Sequence, residues 1–125
     1  MAKETALEYF IGTDHDFEFV ILNDAGTQAI NISGWPLSFM VKRSLGHLDA
    51  AAKVTKATGS GITITGTYDA DPALNTQKAT VSIADTDTDA LPAGEYFYEL
   101  KRTAVSAEAV LAYGTFTMLR SVHRS

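Results

Sequence analysis

The sequence predicts an all-β domain, an antiparallel β-sandwich of about seven to eight short strands. Three observations carry that prediction. Apolar and polar residues alternate at period two along most of the chain, while helical periodicity is weak. Clusters of Gly, Pro, Asn and Asp recur about every ten residues, which is the turn spacing of a sandwich. No strand–helix–strand alternation occurs, which argues against a doubly wound parallel sheet.

The elements follow in order. Segment 1–13 is apolar for a chain end, with Leu7, Tyr9, Phe10 and Ile11. It is expected as an edge strand or as an arm that docks on a neighbour. In Asp16-Phe17-Glu18-Phe19-Val20-Ile21-Leu22, the residues Phe17, Phe19 and Ile21 share one face. The other face starts wet at Asp16 and Glu18 and is expected to become dry at Val20 and Leu22. Asn23-Asp24-Ala25-Gly26 is a turn, because Asn and Asp bond their own backbone and Gly tolerates positive φ. Ile30 and Ile32 alternate in 27–32 until Ser33-Gly34 breaks the run before Trp35-Pro36. Leu37-Ser38-Phe39-Met40-Val41-Lys42-Arg43 is a strand with Leu37, Phe39 and Val41 inward. Segment 44–52 is a loop or one helical turn.

A short polar strand begins at Val54 and ends in a turn at Ser60-Gly61, and Ile62-Thr63-Ile64-Thr65 alternates again. Segment 66–77, with Asp69, Asp71, Pro72 and Asn75, reads as an exposed hairpin loop. Val81 and Ile83 point inward from the next strand, and the Asp-rich 84–90 suits a connection with one helical turn. Tyr96-Phe97-Tyr98-Glu99-Leu100 is a strand, 105–108 a turn, and 110–119 a final strand interrupted at Gly114. A bulge or a close packing contact is expected there. The tail, 120–125, is basic and polar. The division is therefore an arm at 1–13, a sandwich at 14–119 and a tail at 120–125.

A chain of 125 residues makes one domain, since domains usually need roughly 100–150 residues. With 46% hydrophobic and 20% charged residues, disorder and collagen-like repeats are excluded. The absence of cysteine removes disulfides, thiol catalysis and cysteine-ligated metals. A net charge of -5 argues against phosphate binding and so against a nucleic-acid partner. No apolar run is long enough to span a bilayer, so no membrane partner is expected. The first residues lack the apolar core of a signal peptide, and synthesis in the cytoplasm is expected.

Candidate chemistry is sparse. Asp85-Thr86-Asp87-Thr88-Asp89 offers alternate carboxylates of the kind that converge on calcium. A calcium loop counted from Asp85 needs Gly at the sixth position and Glu at the twelfth, where Ala90 and Tyr96 stand. Asp85, Asp87 and Asp89 are therefore only weak metal candidates, and a solvated, capping turn is the expectation. Asp69 and Asp71 form a second pair with the same expectation. Asp14-His15-Asp16 would orient an imidazole, but no second fixed ligand is nearby, and His47 and His123 fall in a loop and the tail. No serine elbow or phosphate loop is present, and Asn31-Ile32-Ser33 matches a glycosylation acceptor only formally. No catalytic residue and no cofactor are expected. Leu7, Tyr9, Phe10, Trp35 and Tyr68 are the interface candidates.

Leu91-Pro92-Ala93-Gly94-Glu95-Tyr96 places a Gly turn before a strand-opening Tyr. It resembles the tyrosine corner of immunoglobulin-like sandwiches, in which the ring enters the core and the hydroxyl bonds backbone upstream. An ordinary Gly turn is the alternative. Taken in order, three groups of segments then resemble the small immunoglobulin-like proteins of tailed bacteriophages, related to the N-terminal domain of the baseplate upper protein. They are Phe17-Glu18-Phe19-Val20 through Ile30-Asn31-Ile32-Ser33-Gly34-Trp35, the strand Leu37 to Arg43 quoted above, and Leu91 to Leu100 followed by Tyr113-Gly114-Thr115-Phe116-Thr117-Met118. The loop at 68–77 is longer than that pattern usually has. Attachment roles that depend on the baseplate protein's long C-terminal part are not carried over.

The resemblance implies a non-enzymatic structural protein of the virion, present in many copies or as a homo-oligomer. Its partners would be other virion proteins, in the tail, baseplate or fibres, or the major capsid protein if it decorates or cements the head. A carbohydrate- or receptor-binding adhesion domain is a different class, and predicts Trp35 and Tyr68 exposed together on one loop face. A calcium-dependent module or small enzyme built on the Asp turn predicts sensitivity to chelator. On the sandwich expectation, Tyr96→Ala should cost about 3–5 kcal/mol in denaturant unfolding, and Asp87→Ala in a merely solvated turn roughly 0.5 kcal/mol or less.

Overall fold

Leu37, Phe39 and Val41 are at most 2% exposed, while the intervening Ser38, Met40 and Lys42 are half-buried. The same alternation builds most of the chain. The computed structural model describes residues 3–44 and 52–120. Its strands are β1 (Lys3–Glu4), β2 (Leu7–Phe10), β3 (His15–Phe19), β4 (Leu37–Lys42), β5 (Val54–Thr58), β6 (Gly61–Thr65), β7 (Lys78–Ile83), β8 (Gly94–Arg102) and β9 (Ala109–Leu119). A single helical turn, α1 (Asp85–Thr88), joins β7 to β8. The fold is all-β. The expected loop at 44–52, with His47, and the tail with His123 fall almost wholly outside the described residues.

Strands pair in the order β1-β9-β8-β4-β5-β6-β7-β3, and β2 also pairs with β9. Two antiparallel trios stand out, β3-β7-β6 and β4-β8-β9. They reproduce the B-E-D and C-F-G pairings of an immunoglobulin domain. β5 joins them, antiparallel to β4 and, over two residue pairs, parallel to β6. The arm also pairs in parallel, β1 and β2 both lying along β9. The pairing is thus mixed, where purely antiparallel strands were expected. The sheet curls until its far ends face each other. Phe17 on β3 meets Phe116 on β9 at 5.5 Å between ring centroids, and Phe19 meets Tyr98 at 6.2 Å.

The corner forms as the sequence predicts. Tyr96 is fully buried, and its hydroxyl donates to the Pro92 carbonyl at 2.7 Å. The Arg43 guanidinium covers the ring at 4.8 Å. Gly94 makes room for that cation, because a Cβ there would lie 2.9 Å from Arg43 Nη1.

The break at Gly114 is a packing contact. A Cβ at Gly114 would come within 2.4 Å of the Thr5 carbonyl oxygen, so the missing side chain lets the arm lie against β9. The bulge sits nearby, where Leu100 pairs with Ala112 and Lys101 with Val110. Leu111 is the extra residue, and the bulge turns Leu111 and Ala112 both into the core. Two expectations fail. Val20 is 50% exposed, so the dry end expected beyond β3 fails at that residue, although Leu22 is half-buried. Residues 27–32 make only a bridge from Ala29 to Leu22, because the backbone of Ala29 and Ile32 bonds Ala70 and the Gln77 side chain instead of a strand.

Tyr98 fastens the arm by donating its hydroxyl to the Thr5 carbonyl at 2.6 Å. Burial pushes its phenol up from 10.0 to about 12. A value raised on folding favours the folded state fully below pH 10.0, and that contribution is lost as pH rises through about 12. Tyr98→Phe is expected to cost about 1 kcal/mol near neutral pH and to flatten this alkaline decline. Urea unfolding of both proteins as a function of pH checks it.

Candidate interaction surface

Most of the carboxylates considered for chemistry hold a piece of backbone. Asp85 Oδ1 accepts the Thr86 amide at 2.8 Å, and the Asp85 amide donates to Asp14 Oδ1 at 2.8 Å. Asp87 Oδ2 accepts the Ala84 amide at 2.8 Å and pairs with Lys56 Nζ at 2.8 Å. Asp89 is exposed at the end of the turn. Asp69 and Asp71 likewise accept the amides of Asp71 and Ala73, as loop-bending side chains do. His15 meets Phe17 edge-to-face, with ring centroids 4.5 Å apart. Among the described residues no three His, Asp or Glu side chains are gathered as metal ligands would be.

Asp87 corrects the expectation of a merely solvated turn. Only 27% of its side chain is exposed, and 17% of that of Lys56. Burial by itself would raise the carboxyl, but the bond from Lys56, the Ala84 amide and the Lys56 charge outweigh it and hold the pKa below 3.8. The pair ties α1 to β5, which the sequence gives no means of foreseeing.

The aromatic candidates separate by burial. Tyr9 is 2% exposed and so faces the core, which corrects its place among the interface residues. Its hydroxyl meets the Thr13 carbonyl and lies 3.0 Å from Thr88 Oγ1. The strand period explains this, since Tyr9 shares the inward face with Leu7, which is half-buried against the core. Phe10 is on the opposite side and 52% exposed. Trp35 packs on the core and is covered by the Arg102 guanidinium at 3.9 Å. Tyr68 is 36% exposed, with its hydroxyl bonded to the Ala29 carbonyl at 3.1 Å.

A larger surface lies on the outer face of β4, β8 and β9, in a hollow of about 750 Å³. Cross-strand rows build it: Met40 stands beside Glu99 and Glu99 beside Tyr113, while Lys42 stands beside Phe97. The face thus interleaves apolar and charged side chains of both signs. In the sequence Met40 and Phe97 mark only outward positions of their strands, because nothing local shows that β4 and β8 are neighbours. No protein-family model and no curated protein matches the chain.

Asp87 yields a pH prediction. A carboxyl depressed on folding stabilises the fold above 3.8, and that contribution is lost as pH falls through its lower folded value. Lys56→Met is expected to cost about 1 kcal/mol near neutral pH and less in acid. Asp87→Ala is expected to cost about 1–2 kcal/mol, since the capping bond goes with the ion pair. Denaturant unfolding at neutral and acid pH measures both.

Proposed function

We propose that the protein is a non-enzymatic structural module of a tailed-bacteriophage particle. In this reading it is present in many copies, associated with the tail, baseplate or fibres, and docks on other virion proteins through the outer face of β4, β8 and β9. The observation that carries the proposal is the corner at Tyr96 within the B-E-D and C-F-G pairing order. Of the segments whose order resembles the phage proteins, most residues lie on β3, β4, β8 and β9, four of the six strands in this pairing, while Ile30 to Trp35 lie in the connection between β3 and β4. The docking face supports it as well, since Met40, Phe97 and Tyr113 are of the side-chain types enriched in protein interfaces. Carboxylates that bond the turns are supporting elements in such a role and need no substrate.

Mass spectrometry and gold labelling of purified particles test the proposal. Multiple copies per particle with label on the tail are expected. Label over the head replaces the tail assignment with head decoration, and absence from particles overturns the structural role.

A further inference from the structure

The strand path has two free ends. β3 pairs with β7, β1 and β2 pair with β9, and no other strand flanks them among the described residues. In the constant-type immunoglobulin order the opening strand lies beside the strand equivalent to β3, completing an A-B-E-D sheet. Here the opening residues lie along β9 instead, and the place beside β3 is vacant.

Both free edges line one groove of about 610 Å³. Its lining includes Thr5 and Leu7 from the arm, Phe19 and Ile21 from β3 and its continuation, and Leu111 and Ala112 from β9. Ile21, Leu111 and Ala112 are buried, so this part of the lining is apolar. Val20 continues the β3 edge at 50% exposure. Edge strands are ordinarily protected by charge, Pro or a bulge against further pairing.

We propose that this groove receives an extended strand donated by a different protein. The strand pairs with the free edge of β3, carries Lys or Arg at alternate positions on its outer face, and carries β-branched apolar residues on its inner face. Charge selects this occupant. Asp16 and Glu18 are exposed on the outer face of β3. If a second copy paired β3 on β3 about a two-fold axis, these carboxylates would oppose each other across the strands, which is destabilising. Cations opposite them are favoured by the same rule. Lys78 on β7 already makes that contact from the other side, 2.5 Å from Glu18. Inner-face residues of the donated strand lie beside Phe19 and Ile21 and over Leu111, so they must be apolar. Backbone bonding supplies the affinity and the alternation supplies the specificity.

The test titrates the isotope-labelled full chain with two heptapeptides, one alternating valine with lysine and one alternating valine with glutamate. Saturable amide shifts confined to residues 3–7, 15–26 and 111–112 are expected with the lysine peptide, together with slowed amide exchange along β3. The glutamate peptide is expected to bind about tenfold more weakly, as two reversed cross-strand pairs imply. The double variant D16K/E18K is expected to invert the preference. If that variant does not fold, the comparison of the two peptides on the unaltered chain still decides. Equal affinity, shifts elsewhere, or no saturable binding of the lysine peptide at millimolar concentration would overturn the proposal. The outcome is independent of where the protein resides, so a vacant groove and an absence from virions fail separately.

Discussion

Phe116 is the point at which the two halves of the curled sheet hold each other. It is fully buried on β9 and touches four rings: Tyr9 from the arm, Phe17 from β3, Phe39 from β4 and Tyr98 from β8. Phe17 belongs to the opposite trio of strands and is brought to Phe116 by packing, with no backbone bond between β3 and β9. Tilted and edge-to-face pairs of this kind add about 0.5–1.5 kcal/mol each beyond the area they bury. They also fix an angle, which burial alone does not. The curl of the sheet, the seat of the arm and the depth of the groove all depend on this cluster.

Around it, polar side chains serve the backbone. Gln77 is 5% exposed and uses both ends of its amide, accepting from the Ile32 amide and donating to Asn31 and Ser33. Thr88 is fully buried and accepts the Gly12 amide at 3.1 Å. Each satisfies a group that would otherwise be buried without a partner, a cost of about 1–3 kcal/mol. These pegs let the chain pass between strands through irregular segments. The carboxylates of Asp85 and Asp87 are likewise oriented by different groups, the Thr86 amide for one and the Ala84 amide with Lys56 for the other.

The arm shows how two small choices shape the periphery. The missing side chain at Gly114 admits the Thr5 carbonyl, and Tyr98 then bonds it. The opening residues are thereby committed to β9. One consequence is the bare edge of β3, so a glycine in the last strand governs what surface β3 presents.

Much of this was legible along the chain. Strand faces at Leu37, Phe39 and Val41, the Asn23 turn, the helical turn before Ala90 and the corner at Tyr96 all follow from alternation and turn chemistry. Those signals are local, set by side-chain direction within a strand and by the φ preferences of Gly, Asn and Asp. Other features depend on neighbours far apart in sequence. Val20 continues an apolar pattern yet faces water, Tyr9 ends in the core, Asp87 finds Lys56, and Met40 and Phe97 share a surface. Periodicity settles which way a side chain points, but not which strand will lie across from it. Pairing order, layer contacts and open edges are decided by long-range packing around Phe116, and therefore only by the tertiary structure.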